Sequence, residues 1–355
     1  MKALSLEPKI IAMANALRLD AADPVEGIMQ FCRARIASML TCAGSVRTIW
    51  DLERIVCNQL NLVIQEVWTD DQLKELAGDY VAQGEVVFAA LPGQLDADTY
   101  GILVRRNTTA RDGSFQYVAV VDCRGDKAAR RFFTRWHEIA HCLTAFDQYE
   151  LPLRRTTITA IEKDPIEKLT DMIAGDVGFF DPLFRPVLDA AILPAGKLTF
   201  DVVENIRAQF CPDASFQATL NACVARFGVP AVVLEAGLGL KLGELRALHS
   251  PQASLFPEPK PTPRLRVFNA VSNAAARRSC IQIPRNMRVP DCSIISAVFN
   301  ASEEDGDATR EAVENLSAWV ASDGSGLPAQ EVSIHAKRVC DRVFAIIAVV
   351  DGSLN

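Results

Sequence analysis

Two histidines and a glutamate stand together as His137-Glu138-Ile139-Ala140-His141. The spacing H-E-x-x-H puts two imidazoles on one face of a helix, about one turn apart. Both can ligate one metal ion, with Glu138 beside them as general base for an attacking water. This is the pattern of a zinc metallopeptidase helix. The chain has only 4 histidines, so half of its imidazoles are committed to this arrangement. The alternative is a helix whose histidines simply line a polar face.

A catalytic zinc takes three protein ligands and keeps a further position open. His249 and His335 lie far downstream, so a carboxylate is the expected third ligand. Glu167 follows on the next predicted helix, and Asp171 is one turn further along the same face. On this reading Glu167 binds the metal. Asp171 accepts a hydrogen bond from the free nitrogen of a ligating histidine, fixing its tautomer. Asp164-Pro165-Ile166-Glu167 is also a capping-box pattern, so Glu167 can instead reach back to the helix cap. Glu162 and Asp176 are the fallback ligands. Tyr149 is either an oxyanion-stabilising group or an ordinary loop tyrosine.

The elements that must position these residues follow from periodicity. Residues 126–146 are helical, with Phe132, Phe133, Trp136, Ile139, Ala140 and Leu143 on the apolar side. A second helix starts at Pro165, capped by Asp164, and runs to Val177. Residues 1–60 read as helical. Leu62–Val67, Glu85–Leu91, Tyr100–Arg105 and Tyr117–Asp122 read as strands. Residues 200–248 read as several short helices, two of them ending at Phe210 and Phe227. Ser250 to Pro263 holds five prolines and reads as an extended linker. Beyond it Leu265–Val271, Cys280–Ile283, Ser293–Phe299, Glu331–Ala336 and Val343–Val350 read as strands, and Asp307–Val320 as a helix.

Composition bounds the function. The chain has 355 residues, 49% hydrophobic and 23% charged, with a net charge of −7. Such a chain as a whole is not built to adhere to nucleic acid. Its start lacks a signal-peptide pattern, and its longest apolar run, Val343–Val350, is too short to span a membrane. The 10 cysteines include no C-x-x-C pair. They read as reduced thiols, which implies a cytoplasmic setting with no membrane partner.

Phe132 to His141 resembles the F-T-x-A-H-E-[LI]-[GA]-H helix of ImmA/IrrE-type metallopeptidases. Glu167 to Ala174 resembles that family's E-x-x-A-[ND]-x-F-A helix, with Thr170 for Ala and Ile173 for Phe. Gly178-Phe179-Phe180-Asp181-Pro182 replaces the family's usual Leu-Leu-Met-Pro continuation. The resemblance covers roughly residues 40–250. It implies an α+β fold: a zincin-like metallopeptidase domain over 1–195, a helix-turn-helix-like segment over 196–249, the linker 250–263 and a GAF-like α/β sensor domain over 264–355. It aligns Glu167 with the ligand glutamate and Tyr117–Cys123 with the strand edge that a substrate peptide joins. It also implies a single cut in a helix-turn-helix repressor, switching on stress or defence genes. The layout is similar to CapP-type proteases found beside bacterial anti-phage systems.

Pro259 to Pro290 carries seven basic residues and no acidic one. Arg277, Arg278, Arg285 and Arg288 are the candidates for binding an anion, single-stranded DNA among them. The alternative is that they pair with acidic residues elsewhere in the chain. Cys292 and Cys280 in the same region are candidate inhibitory thiolates for the open zinc position, or ordinary buried cysteines. The rival to an enzyme is a non-catalytic ligand- or nucleic-acid-sensing regulator on a metallopeptidase scaffold. An intact Glu138 argues against it.

Overall fold

The computed structural model describes residues 2–41, 44–107, 115–144, 153–156, 164–241, 243–245, 261–301, 309–321 and 324–350. It is an α+β structure with two separate sheets. The chain divides into two compact units: Met1–Asp189 with Ile206–Ala218, and Ala190–Asn205 with Thr219–Asn355.

In the first unit, four helices precede the first strand: α1 (Lys2–Ser5), α2 (Pro8–Ala16), α3 (Pro24–Thr41) and α4 (Ile49–Gln59). Thr48 starts α4 with a complete capping box, exchanging hydrogen bonds with Asp51. Then come β1 (Leu62–Val67), α5 (Asp70–Ala82), α6 (Leu91–Gln94), β2 (Thr99–Arg105), β3 (Tyr117–Asp122), α7 (Arg131–Thr144), β4 (Leu153–Thr156) and α8 (Pro165–Val177). The sheet order is β1-β3-β2-β4, with β1 parallel to β3 and the other pairs antiparallel.

Alternation along the strands sorts the two faces of this sheet. Ile102 and Val104 of β2, with Val118 and Val120 of β3, pack against Leu73 of α5, Phe88, Leu91 and Leu95. Gly101 and Leu103 of β2 therefore belong to the opposite face, where Gly101 meets α7. The helix α7 is buried almost throughout, from Phe132 to Thr144. Trp136 packs on the end of α8, where Gly178 leaves room: a Cβ there would stand 3.0 Å from the indole. Phe179, next in the chain, is buried among Phe132, Phe184 and Phe210. Gly178 and Phe179 thus belong to an aromatic core rather than a surface.

Helices α9 (Asp181–Ala195), α10 (Phe200–Phe210) and α11 (Phe216–Arg226) follow. The second unit's sheet is antiparallel, in the order β6-β5-β9-β8-β7. Its strands are β5 (Ala231–Gly239), β6 (Arg264–Ser272), β7 (Thr309–Asn315), β8 (Glu331–Val339) and β9 (Arg342–Val349). Its core joins Val232, Leu234, Val267, Ile295, Trp319, Ile334 and Ile347.

Several sequence expectations are corrected. Glu85–Leu91 is no strand: Val86–Ala90 forms a 3-10 turn. Glu85, fully buried, pairs with Arg106 at 3.2 Å and accepts the Asn107 N–H at 2.9 Å, and Phe88 stacks on Tyr80. Those contacts fold the segment back on α5. Tyr117–Asp122 is a strand but not an edge, because β1 and β2 flank it. Residues 200–248 are not all helical: β5 sits between β6 and β9. Strands of one sheet thus lie on both sides of the proline-rich stretch, most of which falls outside the described residues. Ile294–Phe299 is a helix, because the Ser293 side chain accepts the Ile295 N–H and caps it. Cys280–Ile283 carries no regular structure, and Cys280 has a φ of +58° that a strand excludes. Within Asp307–Val320, Thr309–Asn315 is an edge strand paired with β8. Its Arg, Glu and Ala favour helix, and pairing overrides them.

Candidate metal centre

The site is built where α7 and α8 pack. Phe132, Trp136, Ile139 and Leu143 anchor α7, while Leu169, Ile173 and Val177 anchor α8. Thr170 is buried, and its hydroxyl donates to the Ile166 carbonyl at 2.9 Å. The Thr170 hydroxyl is therefore satisfied within its own helix.

His137 and His141, both buried, turn their Nε2 atoms towards one another at 3.1 Å. Glu167 closes the triangle. Its Oε2 lies 3.1 Å from His137 Nε2 and its Oε1 lies 3.4 Å from His141 Nε2. Among the described residues these three side chains form the group able to hold a metal ion. The ligand atoms of a tetrahedral zinc with bonds of about 2.0–2.1 Å stand roughly 3.3 Å apart. The observed separations fit that geometry. The donor set of two imidazoles and one carboxylate also suits zinc.

Asp171 Oδ1 lies 2.9 Å from His137 Nδ1. A carboxylate only accepts, so Nδ1 carries the proton; with a metal bound, Nε2 would present its lone pair to it. Burial works against charge on Glu167, yet its hydrogen bonds with His137 and His141 outweigh that and hold its carboxyl well below the usual range. Burial lowers the His141 pKa, keeping the ring neutral as a metal ligand requires.

The two readings of Glu167 separate here. Asp164 caps α8 by accepting the Ile166 N–H at 2.8 Å, while the Glu167 carboxylate bonds to the histidines. Asp176 is engaged by Arg33, at 2.6 Å from its Nε. Glu162, Tyr149 and His249 lie outside the described residues. His335 belongs to the second unit, where its Nδ1 accepts the Phe200 N–H at 3.3 Å.

Glu138 is fully buried. A Cβ on Gly101 would fall 2.7 Å from Glu138 Oε1 and 2.7 Å from Thr134 Cγ2. The Glu138 carboxylate thus lies directly against the backbone of β2. Gly101 is not among the residues the motif spacing points to, although a glycine inside the apolar strand Thr99–Arg105 signals close approach of another group. The motif spacing does not point to Arg135 either. It is buried and bridges Glu53 of α4 at 3.1 Å and Glu66 of β1 at 2.7 Å, tying the motif helix to both elements.

Cys280 and Cys292 are exposed residues of the second unit, and Cys142 is buried. Arg277 and Arg278 lie exposed on a short helix, Ala274–Arg278, and the Arg277 guanidinium donates to the Ser272 carbonyl. Arg285 and Arg288 lie apart from them, on the loop beside β6. Among the described residues, no helix is long and apolar enough to cross a membrane.

No family model matches this chain, and no curated protein sequence matches it.

Proposed function

We propose that the chain is a zinc-dependent endopeptidase of the ImmA/IrrE type that cuts a helix-turn-helix repressor, with its second unit acting as a GAF-like sensor. The observation that carries this reading is the convergence of His137, His141 and Glu167 on one point, with Glu138 following His137 directly on the same helix. Bound zinc would polarise the scissile carbonyl and make a water acidic enough to yield its proton near neutral pH. Glu138 takes that proton and returns it to the leaving amine. Asp171 holds His137 in its ligand tautomer, and Gly101 leaves the space in which the Glu138 carboxylate lies. An extended substrate can add to β4, which borders β2 and is an edge of the sheet among the described residues. The five-stranded antiparallel sheet of the second unit supports the sensor reading.

The test is Glu138→Gln. The variant should keep its zinc and its fold, and peptide cleavage of a helix-turn-helix repressor should fall by about 10²–10⁴-fold. Cleavage at the parent's rate would remove Glu138 from the mechanism. Zinc binding without cleavage by the parent, across repressor substrates, would favour a non-catalytic regulator.

A further inference from the structure

The second unit contains a cavity of about 950 Å³ whose lining is strongly cationic. Lys241, Arg264, Arg266, Arg285 and Arg288 border it, and among the described residues Glu244 is the one acid in the lining. The strand β6 explains part of this. Its sequence alternates Arg264-Leu265-Arg266-Val267, so Leu265 and Val267 enter the core while both arginines occupy the other face. Gly239 and Gly237 of β5 stand opposite these arginines in the ladder. They leave space above the sheet, into which the Phe268 ring folds. A Cβ on Gly237 would meet that ring at 2.6 Å.

The loop Asn286–Val289 runs antiparallel beside β6, bonded through Val267 N to Met287 O at 2.9 Å and Val289 N to Leu265 O at 3.0 Å. This pairing sets Arg266 directly opposite Arg288. Like charges opposite one another across strands repel, unless an anion lies between them. Arg288 is partly neutralised by Asp291, and the Arg285 Nε donates to the Phe268 carbonyl at 2.7 Å. Arg266 is different. It is only 5% exposed, its Nη1 donates to the Asn286 carbonyl at 2.9 Å, and its buried Nε has no partner among the described residues. A buried guanidinium with an unused N–H at the edge of a cationic cavity points to a missing acceptor.

We propose that this cavity binds a small organic phosphate, with Arg266 as the central contact. Five cations against one acid among the described lining residues suit the compact charge and several acceptor oxygens of a phosphate better than carboxylates spread along a chain. Pro284, Met287 and Val320, also in the lining, supply apolar surface for the organic part of the ligand. The cavity's volume of about 950 Å³ lies within the range of small-molecule pockets, roughly 300–1,000 Å³. Arg277 and Arg278 do not line it.

The experiment is calorimetric titration of the full chain with four probes: inorganic phosphate, a nucleoside 5′-monophosphate, succinate and a thymidine oligonucleotide. The monophosphate should bind, and more tightly than inorganic phosphate or succinate. Arg266→Lys keeps the charge but loses the Nε donor and should weaken that binding by about tenfold or more. Because Arg266 is buried, exposed Arg264→Ser provides a second variant with little risk to the fold, and it should also weaken binding. Arg277→Ser should leave it unchanged. Binding of the oligonucleotide alone, equal affinity for succinate, or monophosphate binding indifferent to both Arg266→Lys and Arg264→Ser would overturn the proposal. The titration requires no peptidase activity, so its failure leaves the metallopeptidase reading intact.

Discussion

Gly101 on β2 and Glu138 on α7 touch so closely that a Cβ on the glycine would lie 2.7 Å from the carboxylate oxygen. The strand backbone is therefore one wall of the pocket that holds the Glu138 carboxylate. Gly101 does not owe its identity to a positive φ, since it is not among the left-handed residues. Space alone demands it.

Gly101→Ala should accordingly displace Glu138 without touching a metal ligand. A misplacement of about 1 Å can cost about 10²-fold in rate, so peptidase activity should fall on that order while zinc content stays unchanged. Overpacking against Thr134 should also lower stability by about 1–3 kcal/mol. Metal analysis and thermal melts of the one variant separate these effects. Full activity would show that Glu138 tolerates displacement or is not the base.

The ligand set predicts a graded response on α8. Glu167→Ala removes a ligand and should abolish most zinc retention on dialysis. Asp171→Ala leaves all three ligands but frees the His137 ring, and should cost about 10–100-fold in metal affinity or activity. Zinc retained in full by the Glu167 variant would place the third ligand elsewhere.

Asp122 gives a pH prediction that does not involve the metal. Burial opposes its charge, but hydrogen bonds from Arg124 and Lys127 more than offset this, and its pKa lies below the ordinary 3.8. A carboxyl with a depressed folded-state pKa binds fewer protons folded than unfolded. Its stabilisation is thus complete above 3.8 and disappears as pH falls through the lower, folded value. Asp122→Asn should melt earlier than the parent at neutral pH, and the gap should close in strong acid. A gap of constant size across the acid range would rule out the charge as its source.

Arg135 joins α7 to α4 and β1 through Glu53 and Glu66. Arg135 is buried while both carboxylates are partly exposed, so removing its charged hydrogen bonds should cost about 1.5–3 kcal/mol. Arg135→Ala should therefore lower the denaturation midpoint more than removal of an exposed arginine such as Arg54, which pairs with Asp51. Equal midpoints would show that the network contributes nothing.

The histidine pair, the following carboxylate helix and the strands Leu62–Val67 and Tyr117–Asp122 were all legible in the sequence, because each depends on local periodicity and capping. His137 and His141 share a face by helix geometry alone. Asp164 and Pro165 start α8 wherever it packs. Other features depend on which surfaces meet. Glu167 had two local possibilities, the helix cap or the histidines, and the packing of α8 on α7 decided between them. Thr309–Asn315 has helix-forming residues and becomes a strand because β8 offers it a partner. β5 lies before the proline-rich stretch and joins strands that come after it. Gly101 beneath Glu138 and Arg266 opposite Arg288 are juxtapositions of residues distant in sequence. Periodicity carries no record of such pairs, because register between elements is set by the burial of their apolar faces together.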